Sequence, residues 1–378
     1  MNTKEIGEIR RRQRRDRSNM TAIYGCYVSD NKEIISHFSR STGMMSENEA
    51  DKYFALLRRT LGGTLGKNLL ELTFHTAQVV DSAEHKALMS LRGSALGEEE
   101  NRLTFYRRVI ENLNMEGSFL ILLATETYDV PFKGDGENSD VSFTYVLCAI
   151  CPVKQTKAVL HYEPETKDFK DGNMMNAVAA PELGFMFPAF DGRATNIYNA
   201  LYYNRSPKDN HESFVAAIFN TPVAKPAQEQ KESFEDLLSD ALDTECSMDV
   251  VQTVHDQLCQ QIALHKESKT PEPLTLNKED LTDLLEGCGV SNEKVAKFSV
   301  DFEQTFGLDA AVYPTNIMDP RKIEIKTPDV SIKVATDRSD LIETRVIGSV
   351  KYILIRADED VEVNGVSIHI GEAEPATV

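Results

Sequence analysis

The sequence predicts an α+β protein in three parts: a mixed α/β domain with a largely antiparallel sheet over residues 1–220, a linker and helical segment over 221–310, and a small antiparallel β domain over 311–378. Three observations carry that expectation. Strand-like apolar runs crowd residues 117–203, helical spacing takes over from Phe234, and the C-terminal stretch reads as short strands broken by turn residues.

The elements follow in order. A basic helix opens the chain, and Ile6 and Ile9 are available to anchor its base. AIYGCYVS and EIISHFS, joined at Asp30 and Asn31, read as a hairpin. From Ser46 to Leu61 the residues Ala50, Tyr53, Phe54, Leu57 and Leu61 fall on one helix face, with a capping-box pattern at Ser46 and Glu49 and a stop at Gly62 and Gly63. NLLELTFH reads as a strand, and helices are expected over 81–93 and 98–113. GSFLILLATETYDV, FTYVLCAICPV, AVLHYE, GFMFPAF and TNIYNALYY read as strands, and their continuous apolar runs suit central strands covered on both faces. NTPVAKPAQEQK, with two prolines and no apolar period, reads as a linker. Phe234, Leu237, Leu238 and Ala241 mark one helix face, Val251, Val254, Leu258 and Ile262 another, and two short helices flank Gly287 to Gly289. The remainder is β: KIEIK, VSIKVA, LIETRVI, KYILIRA, then VEV and VSIHI around Asn364-Gly365, a pair that favours the type I′ turn matching strand twist.

At 378 residues the chain exceeds what one core usually holds. Its 41% hydrophobic and 27% charged residues are globular proportions, and no apolar run approaches the roughly eighteen residues of a membrane span. The N-terminus is charged at once and lacks an apolar signal region, so a soluble, cytoplasmic protein without a membrane partner is expected. Six scattered cysteines then read as reduced thiols. The net charge of −19 is uneven: residues 221–378 carry 31 acidic and 15 basic side chains, net −16, leaving net −3 for residues 1–220. Against that acidity the first twenty residues hold seven basic side chains, and five of the six residues from Arg10 to Arg15 are arginine.

Several stretches imitate functional motifs. RRTLGGTLGKN resembles a phosphate loop, but the position five before Gly66 is Leu61, Asn68 follows Lys67, and the segment runs from helix to strand, the reverse of what a P-loop requires. It reads as a helix cap and a turn. Cys148 and Cys151 form a C-x-x-C inside an apolar strand, where residues three apart point to opposite faces, so core packing is expected. His255 and Cys259 stand one helical turn apart with no second ligand pair, and no metal or cofactor is expected. DLTDLLEGCGVSNEKVAKF imitates a helix-turn-helix, yet its acidic surface is wrong for DNA and a plain helical hairpin is the expectation. Asp358, Glu359, Asp360 and Glu362 lack calcium-loop spacing and read as a solvated turn and strand edge.

RRTLGGTLGKNLLEL, YVLCAICPVKQTKAVLHY, GFMFPAFDGRATNIYNALYY and RKIEIKTPDVSIKV together resemble the bacterial family known as domain of unknown function 4317, over almost the whole chain. The resemblance implies a cytoplasmic bacterial protein from Gram-positive anaerobes. It carries no activity, cofactor or catalytic residue.

Two candidate sites remain. The first is the arm, Arg10, Arg11, Arg12, Arg14, Arg15 and Arg17, which suits a polyanion; its alternative is a solvated helix. The second lies in FDGRATN, where Asp191, Arg193, Thr195 and Asn196 interrupt two apolar strands and could hold a phosphate or a carboxylate; its alternative is an ordinary Asp-Gly loop. The leading expectation is a non-enzymatic binding or regulatory protein whose arm engages RNA, a ribonucleoprotein or another polyanion. One alternative is an enzyme on a phosphorylated or anionic substrate, with Asp191 as base or metal contact and Arg193 and Asn196 as anion contacts. Another is a homo-oligomer or protein-partner complex formed through the acidic C-terminal half.

Overall fold

Strands that are apolar on both faces need cover on both faces, and residues 117–203 supply several. The computed structural model describes residues 1–131, 141–172, 174–206, 208–270, 272–308, 310–357 and 361–368. Contacts divide the chain into two units, Met1–Glu232 with Lys269–Pro273, and Ser233–Ser268 with Leu274–Val378. The architecture is α+β.

The first unit contains, in chain order, α1 (Thr3–Arg12), β1 (Ala22–Val28), β2 (Ile34–Ser41), α2 (Glu47–Arg59), β3 (Leu69–Thr73), α3 (Thr76–Asp81), α4 (Ala83–Gly93), α5 (Glu99–Asn112), β4 (Phe119–Val130) and β5 (Val141–Gln155). There follow β6 (Leu160–Glu163), β7 (Asp168–Asp171), β8 (Asn176–Val178), β9 (Leu183–Phe187), β10 (Ala189–Asp191), β11 (Ala194–Asn196), β12 (Asn199–Asn204) and α6 (Glu212–Phe219). The main sheet runs β2-β1-β4-β5-β9-β12-β3 with every neighbouring pair antiparallel, and β8 pairs with the end of β5.

Alternation along the strands feeds two separate cores. Ile121, Leu123, Val146, Cys148, Ile150, Phe185 and Tyr202 pack with α4, α5 and α6 on one face. Leu122, Ala124, Tyr145, Leu147, Cys151, Met186 and Leu201 pack with α1 and α2 on the other. Cys148 and Cys151 therefore lie in different layers, as the strand period requires. α2 approaches the sheet closely: a Cβ on Gly184 would lie 2.4 Å from Thr60 Cγ2 and 2.5 Å from the Cys148 carbonyl, so only glycine fits there. After α2 the chain turns through Gly63 and Gly66, both at positive φ, and the Lys67 and Asn68 amides bond to the Thr64 carbonyl. The phosphate-loop look-alike is thus a helix end and a turn into β3.

The second unit begins inside α7 (Ala227–Leu242) and continues through α8 (Met248–Ser268), α9 (Lys278–Gly287), α10 (Asn292–Phe306) and α11 (Pro314–Ile317). α7 starts directly after Pro226, so the last part of the expected linker is helical: proline ends the extended segment and QEQK extends the helix. Leu258, Ile262, Leu281, Leu285, Phe298 and Phe302 share one core. α9 and α10 form the helical hairpin, tied by Lys278 Nζ to Glu303 at 2.5 Å. Then come β13 (Lys322–Lys326), β14 (Ser331–Ala335), β15 (Ile342–Ile347), β16 (Val350–Ile355), β17 (Val361–Val363) and β18 (Val366–Ile368), paired as three separate antiparallel hairpins. Asn364 and Gly365 both have positive φ, at 53° and 80°, the type I′ signature. Glu362 is exposed on β17, while Asp358, Glu359 and Asp360 lie outside the described residues. Among the described residues no helix is long and apolar enough to cross a membrane.

All six cysteines are free thiols. Burial pushes Cys26 up to about 11, Cys151 up to about 12 and Cys148 well above the usual thiol range; the more accessible Cys246, Cys259 and Cys288 are also raised by partial burial. Thiolate supply and access both then protect the first three. A thiol-reactive probe at neutral pH is expected to modify only Cys246, Cys259 and Cys288 in the native protein and every cysteine after denaturation. Mass-spectrometric mapping of fast native labelling to Cys148 or Cys151 would contradict the layer arrangement.

Candidate polyanion interface

α1 forms because both of its ends are provided for. Asn2 caps it by accepting from the Glu5 amide at 3.1 Å, and the Glu5 carboxylate returns a bond to the Asn2 amide at 2.8 Å, a complete capping box. Arg10, Arg11 and Arg12 lie in its last turn, where cations favour the helix dipole. Ile6 and Ile9 are buried against the sheet.

The arm's arginines divide by what they touch. Arg12 turns inward: its Nε and Nη2 donate to Glu126 Oε1 at 3.1 and 2.8 Å, and its guanidinium lies 4.1 Å from the centre of the Tyr128 ring. The Glu126 side chain is fully buried on β4. Its second oxygen accepts from Gln13 Nε2 at 2.8 Å and from the Tyr145 hydroxyl at 2.6 Å, and the Asn19 amide adds a contact to Oε1 at 3.2 Å. Burial first, then the Glu126 charge, push Tyr145 well above the usual tyrosine range, so its hydroxyl remains a donor. Arg12, assigned to polyanion binding on sequence grounds, is committed to this carboxylate.

Arg15 pairs with Glu47 at 2.9 Å and Arg17 lies 3.7 Å from Asp16, both through exposed side chains whose ion pairs are weak in water. Arg10, Arg11 and Arg14 are exposed and have no ion pair among the described residues. The Arg10 guanidinium lies beside Gly62, just past α2, where an added Cβ would come within 3.4 Å of its Nη2. Arg59 and Lys67 are exposed nearby in sequence, at the end of α2 and in the turn after it. Sequence reading did not single out Arg59; its signal was only its place in the last turn of an amphipathic helix.

The second candidate site is brought up against the same helix. Gly192 and Arg193, at φ 57° and 60°, form the turn between β10 and β11. The Arg193 amide meets Glu5 Oε1 at 3.3 Å, its Nη1 donates to Glu8 Oε2 at 2.5 Å, and its Nη2 donates to the Pro131 carbonyl at 3.0 Å. Glu8 also accepts from the Tyr128 hydroxyl at 2.7 Å. Asn196 donates to Asp191 at 3.2 Å and accepts from the Tyr198 amide at 3.0 Å, and Asp191 lies 3.8 Å from the Met1 amino group. Arg193 clamps α1, and Asp191 with Asn196 brace the turn. For Thr195 the structure shows a strand position and nothing that marks a site.

Elsewhere, His255 Nε2 bonds to the Asp319 carbonyl at 3.0 Å, with Cys259 3.8 Å from the other ring nitrogen. Among the described residues no three histidine, cysteine or carboxylate side chains converge on a point that could hold a metal.

Compared with known proteins, the chain matches, over residues 1–366, the family described as Domain of unknown function (DUF4317). No curated protein matches it.

Removing Arg12 strands a buried carboxylate, whereas removing an outward arginine removes only a solvated charge. Arg12→Ala is expected to destabilise the protein by about 3 kcal/mol in urea unfolding, against less than about 0.5 kcal/mol for Arg11→Ala. Glu126→Gln combined with Arg12→Ala should cost less than the sum of the two single changes; strict additivity in that cycle would show that the pair is not coupled.

Proposed function

The chain belongs to the family of domain of unknown function DUF4317, and from the geometry of its N-terminal arm we propose that it is a non-enzymatic cytoplasmic protein that binds RNA through the outward arginines of α1 and of the turn that follows it. The observation that carries this reading is the division of labour within one short arm. Arg12, Glu5, Glu8, Ile6 and Ile9 fasten the helix to the sheet, while Arg10, Arg11 and Arg14 are exposed without carboxylate partners among the described residues. A solvated helix alone would not need its inward arginine and two glutamates held by residues more than a hundred positions away.

Two physical points support the reading. The docked helix already has its backbone ordered, so contacts to phosphates would cost less conformational entropy than contacts from a free tail. The overall charge of −19 is not a property of the arm: residues 1–220 carry net −3, the acidic excess belongs to residues 221–378, and the first twenty residues are themselves basic. Arg15 and Arg17 join the site by exchanging weak surface pairs for phosphates. The exposed Arg59 extends it if the phosphate track passes the end of α2.

The test is binding to single-stranded RNA across a salt series, for the wild type and for a variant with Arg10, Arg11 and Arg14 changed to alanine and Arg12 kept. Wild-type affinity is expected to fall linearly in log K against log salt, and the variant should lose about two units of that slope with an unchanged urea midpoint. A wild type without salt-sensitive binding, or a variant with the same slope, overturns the proposal.

A further inference from the structure

β15 and β16 form a two-stranded ladder around Gly348, which has φ 64°, with Ile347 opposite Val350. The Arg356 amide donates to the Leu341 carbonyl at 2.8 Å, and this bond sets the phase of the ladder. Antiparallel pairing alternates, so Glu343, Arg345 and Ile347 direct their backbone groups to β16, and Ile342, Thr344 and Val346 direct theirs to the outer edge. Among the described residues no strand lies along that edge. A lone two-stranded hairpin is marginal in water. This one also exposes Val346 at 67%, Ile347 at 56%, Val350 at 52% and Ile355 at 57%. β15 carries none of the proline, lysine or bulge devices that usually protect an edge.

We propose that the outer edge of β15 is a self-association site, at which a second copy of this chain adds its own β15 in antiparallel register about a two-fold axis through Thr344. The sequence of the strand, IETRVI, is self-complementary in that register. Thr344 faces the partner's Thr344, Ile342 faces the partner's Val346, and Glu343 faces the partner's Arg345. The register uses the outward backbone groups, since Ile342, Thr344 and Val346 then exchange hydrogen bonds across the axis. It also places the Glu343 and Arg345 pairs at the non-hydrogen-bonded positions, where opposite side chains approach most closely. In the single chain these two residues already pair at 3.0 Å along their own strand; in the dimer each exchanges that exposed contact for one across the axis. The resulting four-stranded sheet gathers the exposed Val346, Ile353 and Ile355 of both copies on one face, beside Ile342, which is already buried in the single chain.

Charge reversal tests the register directly. Glu343→Arg and Arg345→Glu each place like charges opposite each other in a homodimer, while a mixture of the two variants restores opposite charges at both positions. Sedimentation velocity over a dilution series should show a wild-type dimer, self-association at least about tenfold weaker in each variant, and a one-to-one heterodimer on mixing. Circular dichroism identical to wild type separates lost pairing from lost folding, and a heterodimer recovered from two folded monomers cannot arise from misfolding. A wild type that stays monomeric throughout, variants that associate as tightly as wild type, or a mixture that remains monomeric would each overturn the inference.

Discussion

A single buried carboxylate organises one side of this molecule. Glu126 lies on a central strand with no solvent contact, and an ion taken out of water must be met on all sides or it unfolds its surroundings. Arg12, Gln13, Asn19 and Tyr145 meet it. Three of those four come from the first twenty residues, so satisfying the charge brings the N-terminal helix to a fixed place on the sheet. Glu5 and Glu8 then reach the Gly192-Arg193 turn, and the sheet core around Ile6 and Ile9 closes beneath them. With the inner side of the helix spent on these contacts, Arg10 and Arg11 stay exposed on its outer side without an ion pair among the described residues.

The sheet was legible in the sequence wherever a strand's period met a buried environment. The runs around Leu122, Val146 and Phe185 announce central strands, and the opposite placement of Cys148 and Cys151 follows from strand geometry alone. α6 was not anticipated because ESFVAAIF is apolar nearly all round and offers no contrast between faces. The helical start of α7 was hidden behind Pro226, since a proline reads as a break from either side.

The candidate sites were legible in composition and illegible in pairing. Nothing local in RRRQRR distinguishes Arg12 from Arg11; the difference is a glutamate 114 residues away. Glu126 shares β4 with a second acid, Asp129, and nothing in the sequence says which of the two is buried or what meets it. Asp191, Arg193 and Asn196 drew attention because a carboxylate, a guanidinium and an amide fell together. The fold uses that chemistry to brace a left-handed turn and to clamp a helix, with Glu8 supplying the charge that Arg193 needs. Polar side chains clustered between apolar strands therefore identify where the chain must satisfy itself as readily as where it meets a ligand.

The separation between the helix and its anchors also sets an order of events. The partners of α1 and Gln13 are Glu126, Tyr145 and Arg193, so this segment is synthesised well before its anchors and is secured only after the middle of the sheet exists. At about 5–20 residues per second, synthesis leaves that basic segment without its carboxylate for on the order of ten seconds or more. During that interval Arg12 lacks its buried carboxylate and stands with the other arginines of the arm. Completion of the sheet withdraws Arg12 from that company and leaves the others behind, so the arm the nascent chain presents is more basic than the one the finished protein keeps.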